Sequence, residues 1–80
     1  MTLRKTVEVR DGVYRIFETE PGIFHVLDSG GRTVDEFDVV ETDTDAGTMK
    51  RAFRRGPLRR GVPNLAPSFV SEMNVARLRD

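Results

Sequence analysis

His25 is the only histidine of this 80-residue chain, so it is the first side chain to consider for acid–base chemistry or metal binding. It stands between Phe24 and Val26 in an apolar run, a setting typical of a partly buried structural histidine. None of the three serines lies in the glycine-flanked pattern of a nucleophile elbow, and there is no cysteine to supply a thiolate. We therefore predict that the protein is not an enzyme and has no catalytic residue.

The segment ETDTDAG has the alternating carboxylates of a calcium-binding loop, at Glu41, Asp43 and Asp45. Counted from Glu41, however, the glycine falls at the seventh position instead of the sixth, and the twelfth residue is Ala52 instead of a bidentate glutamate. No glycine-rich phosphate-binding motif occurs either. We predict no metal site and no cofactor, and we interpret these carboxylates as helix caps and a solvated acidic edge.

Basic residues are the most distinctive feature of the chain. Six of the thirteen residues from Met49 to Gly61 are basic, although the whole chain is formally neutral. Residues 1–45 carry five basic and eleven acidic side chains, a net charge of −6, and residues 46–80 carry eight basic and two acidic ones, a net charge of +6. Such asymmetry indicates a nucleic-acid, membrane or acidic-protein partner, or two halves that neutralise each other within the fold or between subunits.

Five of the six clustered cations are arginines, whose guanidinium groups pair bidentately with phosphate or with guanine. No acidic residue interrupts them, whereas a helix face that is only solvated usually mixes both signs of charge. The predicted contact residues for a nucleic acid or another partner are Lys50, Arg51, Arg54, Arg55, Arg59 and Arg60.

Alternating apolar residues predict a hairpin at the start of the chain. The dipeptide Asp11-Gly12 suits a type I′ turn, which needs positive φ and places Val9 opposite Tyr14. Apolar residues would then face apolar residues on one side of the hairpin, and opposite charges would meet on the other.

Two further turns, EPG at 20–22 and DSGG at 28–31, bracket a third strand at 23–27. A fourth strand is expected after them. Its apolar residues Val34 and Phe37 have opposite parity, so the strand either carries a bulge or ends early. Three or four such strands in chain order form an antiparallel meander.

The segment 41–56 has the start and stop signals of a helix, because acidic and hydroxyl residues open it and Gly56 closes it before Pro57. On a helical wheel an apolar stripe would lie opposite the basic side chains and would pack on the sheet. The stripe residues are Ala46, Met49, Ala52 and Phe53.

We predict an α+β fold in a single domain. Residues 1–56 would form an antiparallel meander of three to four strands packed by one amphipathic helix. Residues 57–66 read as a basic linker rich in proline and glycine, and residues 67–80 as a short C-terminal helix.

The predicted function is a small non-enzymatic regulatory module of the phage or mobile-element kind, which contacts the DNA or RNA backbone through the basic helix and loop. Two alternatives remain open: a modulator or inhibitor that grips an acidic surface of a larger protein, and a self-associating structural protein, for instance a homodimer. We expect no membrane contact and a cytoplasmic location, because the start MTLRKTVEV lacks the apolar region of a signal peptide and no cysteine pair braces the fold.

Overall fold

A computed structural model describes residues 1–79 of the chain. All neighbouring strands are antiparallel and follow chain order, so the sheet is a five-stranded meander that curves into a half-barrel, and one helix follows it. The elements are β1 Thr2–Val9, β2 Gly12–Glu20, β3 Ile23–Leu27, β4 Thr33–Thr44, β5 Gly47–Arg54 and α1 Ala66–Arg79. The predicted α+β class, antiparallel meander and C-terminal helix are confirmed, but the sheet has five strands instead of three or four. The predicted last residue of the helix, Asp80, lies outside the described residues.

The first hairpin is confirmed, with a register two residues away from the predicted one. Residues 10–11 form the turn, Gly12 pairs with Val9, and Tyr14 faces Val7. Because this shift is an even number of residues, the side chains from Lys5 to Val9 keep the face that was predicted for them, whereas a bulge between Leu3 and Lys5 places Leu3 opposite Phe17 on the outer face. Gly12 is not among the glycines with positive φ, so the type I′ turn that we expected at this position is wrong.

A bulge in β4 reconciles the opposite parity of two of its apolar residues. The register between β3 and β4 shifts by one residue, so that Val34 has no partner between Asp35 and Thr33. The extra residue lets Val34 and Phe37 both turn toward the core, and both are buried. The bulge that the sequence predicted as one of two outcomes is therefore confirmed.

The helix predicted at 41–56 is wrong, because this segment forms a hairpin. β4 continues to Thr44, a two-residue turn follows, and β5 begins at Gly47 with a φ of 115°. Of the acidic residues that suggested a helix cap, Glu41 lies opposite Lys50, Asp43 lies opposite Thr48, and Asp45 lies in the turn. A glycine with positive φ costs stability inside a helix but fits the end of a tight turn, and the β-branched residues of β4 favour a strand.

The C-terminal helix lies on the open side of the half-barrel, between the two edge strands. On the helical wheel Phe69 and Met73 point into the core, and the two flanks of the helix reach opposite edges of the sheet. Glu72 pairs with Lys5 of β1 on one flank. On the other flank Asn74 accepts a hydrogen bond from the Lys50 N–H of β5 at 2.9 Å and donates one to the Lys50 C=O at 3.1 Å. The helix thus covers part of an edge that would otherwise be open to pairing.

Three phenylalanines from β3, β4 and α1 form the centre of the core. The rings of Phe24 and Phe37 are stacked with centroids 5.5 Å apart, and Phe69 meets them edge-on at 5.1 Å and 6.1 Å. The rest of the core lies on the same inner face of the sheet, so helix and sheet bury their apolar sides against each other. The other buried core residues are Ile16, Val26, Val34, Leu65 and Ala66.

Candidate binding surface

The six predicted contact residues do not share a face, because four of them lie on a strand and a strand alternates its side chains. Lys50 and Arg54 stand on the inner face of β5, in line with the partly buried Ala52. Arg51 and Arg55 point to the outer face. The remaining two predicted contacts, Arg59 and Arg60, lie in the segment between β5 and α1 and are exposed.

Arg54 is fixed against the sheet by hydrogen bonds to two side chains, although part of it stays open to solvent. Its Nε donates to Asp35 Oδ1 at 3.0 Å and its Nη2 to Asp35 Oδ2 at 3.3 Å, while a further bond joins it to Asn64 Oδ1 at 2.6 Å. Asp35 is 4% exposed and also accepts the Glu36 N–H at 2.9 Å. The hydrogen bond and charge of Asp35 raise the pKa of Arg54, although partial burial opposes this shift. The guanidinium therefore serves to neutralise a buried carboxylate.

Arg55 extends β5 on the outer face and is paired as well. Its backbone N–H donates to the Glu36 carbonyl at 2.9 Å, and its Nε lies 3.3 Å from Asp38 Oδ1. That oxygen is buried and receives no hydrogen bond in suitable geometry from the described residues, so the contact is chiefly electrostatic. By contrast, none of the ion pairs found among the described residues involves Arg51, Arg59 or Arg60.

Exposed arginines gather at one end of the half-barrel. The turns β1–β2 and β3–β4 and the segment after β5 all lie there, because the strands are antiparallel and consecutive. The Arg59 N–H bonds to the Val34 carbonyl at 3.2 Å, which fixes that segment against β4. This basic end consists of Arg10, Arg32, Arg59 and Arg60.

Asp28 organises the β3–β4 turn at this end. Its carboxylate accepts the N–H groups of Arg32 at 3.0 Å and Gly30 at 2.9 Å. These backbone hydrogen bonds, the one from Arg32 first, lower the pKa of Asp28, and the charges of Arg32 and Arg59 act in the same direction. The basic end therefore carries an ionised aspartate among its arginines.

His25 stands on the outer face of β3, and its Nδ1 lies 3.7 Å from Glu36 Oε1. It is half-buried, as expected of a structural histidine. Within residues 1–79 no cluster of three or more histidine, cysteine, aspartate or glutamate side chains is placed to hold a metal ion. The predictions that concern catalysis and cofactors remain predictions.

The sequence analysis missed an apolar patch on the outer face of the β4–β5 hairpin. Phe53 is 52% exposed, Val40 43% and Met49 36%. Arg51 lies directly across from Val40, between Met49 and Phe53 on β5. We call these four residues the outer patch. Strand alternation over 47–54 would have revealed it, but the helical wheel placed Met49 and Phe53 on a buried stripe.

The hairpin that carries the outer patch extends beyond its neighbouring strand. β3 pairs with β4 only as far as Asp38, and the last contact on that side is a hydrogen bond from the Val39 N–H to the Gly22 carbonyl at 2.8 Å. The β4–β5 pairing continues to Thr44 and Gly47. In about half of this hairpin, therefore, β4 pairs only with β5, and its other edge has no neighbouring strand.

A groove runs along the seam between β5 and α1, with a volume of ≈ 380 Å³. Met49 and Arg51 of the outer patch belong to its sheet wall, so the groove and the outer patch are continuous. We call it the seam groove. Its wall on β5 consists of Met49, Lys50, Arg51 and Ala52, and its wall on α1 of Pro67, Val70, Ser71 and Asn74.

Comparison with known proteins identifies no relative: no family model, curated protein or solved structure matches this chain. Among the described residues no helix has the length and apolar character needed to cross a membrane. Any functional conclusion therefore depends on the geometry of the chain itself.

Proposed function

We propose that the protein is a small non-enzymatic module that binds another protein through the outer patch. The observation that carries this proposal is the exposure of Val40, Met49 and Phe53 side by side on the outer face of the β4–β5 hairpin. Large apolar side chains exposed singly are ordinary, but a contiguous group around an arginine is typical of a protein interface.

The composition of the outer patch matches the residues that contribute most to association. Aromatic residues, methionine and arginine are enriched at interfaces, and the patch holds one aromatic residue, one methionine and one arginine. Arg51 lies at its centre with Phe53 beside it, and truncation of a residue near the centre of an interface usually costs the most binding energy. Of the six contacts predicted from sequence, Arg51 is the one that this proposal retains at its centre.

The test compares Phe53→Asp with Leu3→Asp. Leu3 is 49% exposed and also lies on the outer side of the sheet, but on β1, far from the outer patch across the strand order. A partner captured from lysate is identified and purified, and its dissociation constant is measured for the wild type and both variants. We expect a loss of at least about tenfold for Phe53→Asp and little change for Leu3→Asp. Equal loss in both variants would contradict a patch-specific interface.

Nucleic-acid binding is a second candidate, favoured by the four exposed arginines of the basic end. These side chains come from three separate loops, which is how a surface that tracks a phosphate backbone can be assembled. Two carboxylates, Asp11 and Asp28, lie in the same loops and reduce the net charge of this end. This candidate places the contact at Arg59 and Arg60 rather than on β5.

Fluorescence anisotropy with random duplex and single-stranded oligonucleotides tests this second candidate. The expected result is binding that weakens as salt increases, with a slope that falls by about one unit for Arg60→Ala. Arg54→Ala is unsuitable as a probe because it also removes the partner of buried Asp35. Absence of binding at low salt, where attraction is strongest, rules the candidate out.

A further inference from the structure

The seam groove differs in charge from the chain as a whole. Its lining includes the cations Lys50 and Arg51 but no carboxylate, whereas the described chain outside it carries acidic residues on every strand except β3 and β5. Neither Lys50 nor Arg51 takes part in the ion pairs found among the described residues. A ligand that brings carboxylates would therefore meet two cations that are not engaged in any of these pairs.

The apolar lining of the groove sets the rest of the ligand's chemistry. Met49, Ala52, Pro67 and Val70 offer aliphatic surface from both walls. Because Met49 also belongs to the outer patch, a segment lying in the groove can continue onto that patch, where Arg51 lies between Met49 and Phe53. The occupant must therefore present apolar and acidic side chains together.

The backbone of β5 is already engaged at the centre of the groove. Asn74 holds both the N–H and the C=O of Lys50, the two groups that an added strand would need at this position. A partner is therefore recognised by its side chains and does not extend the sheet here. This excludes strand addition at Lys50 as long as α1 remains in place.

From these observations we propose that the seam groove is the binding site for an acidic amphipathic segment of a partner protein. Its carboxylates would pair with Arg51 and Lys50, and its apolar side chains would fill the space between Met49 and Val70. This inference rests on the protein-binding function proposed above and names the chemistry of the partner. Each charge pair would lie at the rim of the apolar groove surface, where charge complementarity contributes specificity and speeds association.

The experiment selects ligands from random sequences, so the partner need not be identified first. A phage-displayed library of random 16-residue peptides is panned against the wild type and against Arg51→Glu. We expect peptides rich in Asp, Glu, Leu and Phe from the wild type, and a shift toward Lys and Arg from the charge-reversed protein. A synthetic copy of an enriched peptide is then titrated by NMR, and the shifted amides should lie on β5 and α1.

Two helix variants locate the site. Ser71 is exposed and lines the groove, so Ser71→Glu should repel the acidic peptide as well as occupy space, and should weaken its binding at least about tenfold. Val75 is 48% exposed on the same helix and does not line the groove, so Val75→Glu is the matched control and should bind nearly as the wild type does. Both changes avoid the core, and circular dichroism verifies that both variants fold.

The outcomes separate this inference from the proposed function. Peptides that are basic, or that bind equally well to Ser71→Glu, overturn the groove assignment. If Phe53→Asp still abolishes binding of a purified partner in that case, the outer patch keeps its function. A concentration-dependent dimer lost in Ser71→Glu would identify a second copy as the occupant and overturn the proposal of a segment from a partner protein. Binding of an oligonucleotide in the groove would overturn it as well.

Discussion

Arg54 of β5 and Asp35 of β4 form a bidentate ion pair at 3.0 and 3.3 Å, in which the carboxylate is buried and the guanidinium side chain is 33% exposed. The pair joins the last two strands of the sheet on their inner face, although Arg54 lies directly opposite Phe37, two residues from Asp35. Its neighbour Arg55 pairs with Asp38 on the outer face, where both side chains are more open to water. Adjacent arginines of the basic cluster thus have different roles.

We expect Arg54→Ala to lower the free energy of unfolding by about 2–3 kcal/mol, because it leaves the Asp35 carboxylate buried without its cation. The value is below that of a fully enclosed pair because water reaches part of Arg54. Arg55→Ala is the matched control and should cost no more than about 1 kcal/mol. Urea unfolding monitored by circular dichroism measures both. Equal losses would show that the buried pair has no special role.

Phe53→Ala should change the free energy of unfolding by less than about 1 kcal/mol, because the ring is half exposed and anchors no helix on the sheet. Phe37→Ala, on the neighbouring strand and the opposite face, should cost about 3–5 kcal/mol and can unfold a domain of this size. The two thermal midpoints make the comparison. A large loss for Phe53→Ala would mean that the Phe53 ring is buried, as the predicted helix required, and would contradict its place on the outer face of β5.

Gly22→Ala should destabilise the protein by about 1–2 kcal/mol. Its φ is 82°, and an added Cβ would lie 3.1 Å from the Val39 carbonyl oxygen. Gly12→Ala is the control, since Gly12 lacks positive φ and has open space around it, and we expect it to be neutral or slightly stabilising. The midpoints of urea unfolding test this contrast, which fails if Gly12→Ala is the more harmful change.

Stability should fall in acid partly through Glu18. The backbone N–H of Gly22 donates to its carboxylate at 3.0 Å and is the main cause that lowers its pKa below the ordinary 4.5, and Arg4 acts in the same direction. A depressed pKa means stability that is complete above pH 4.5 and is lost as the pH falls through the folded value. Unfolding free energies from pH 7 to pH 3 should show a shallower acid slope in Glu18→Gln. An unchanged slope would place the acid sensitivity elsewhere.

Asn74→Ala should expose the edge of β5, because the Lys50 N–H and C=O lose their partner. We expect the Lys50 amide to exchange with solvent faster, the unfolding free energy to drop by about 1–2 kcal/mol, and light scattering to show more aggregation. Ser71→Ala, on the same flank of α1, removes a hydroxyl that makes no such bond and should leave all three readouts unchanged. Unaltered exchange at Lys50 in Asn74→Ala would contradict the covering role of the helix.

The sequence by itself determined the elements whose signals are local. The alternation of apolar residues and the turn residues predicted the first three strands. The opposite parity of Val34 and Phe37 predicted either a bulge or an early end of the fourth strand. The segment after residue 66 was identified as a helix from its own pattern. In each case residues near in sequence decide the structure, because the turn or the periodicity is complete within a few residues.

Only the tertiary structure decided the segment 41–56. Its apolar residues fit a helical stripe as well as a strand. The segment forms a strand because β4 provides a cross-strand partner for every residue of β5, and the local sequence pattern does not show that such a partner is available. Strand formation also separated the basic residues that the sequence analysis had placed on one contact surface. A helix would have kept Lys50, Arg51, Arg54 and Arg55 on one side, whereas the period of two in a strand sends Arg54 to buried Asp35 and leaves Arg51 beside Phe53 on the open face.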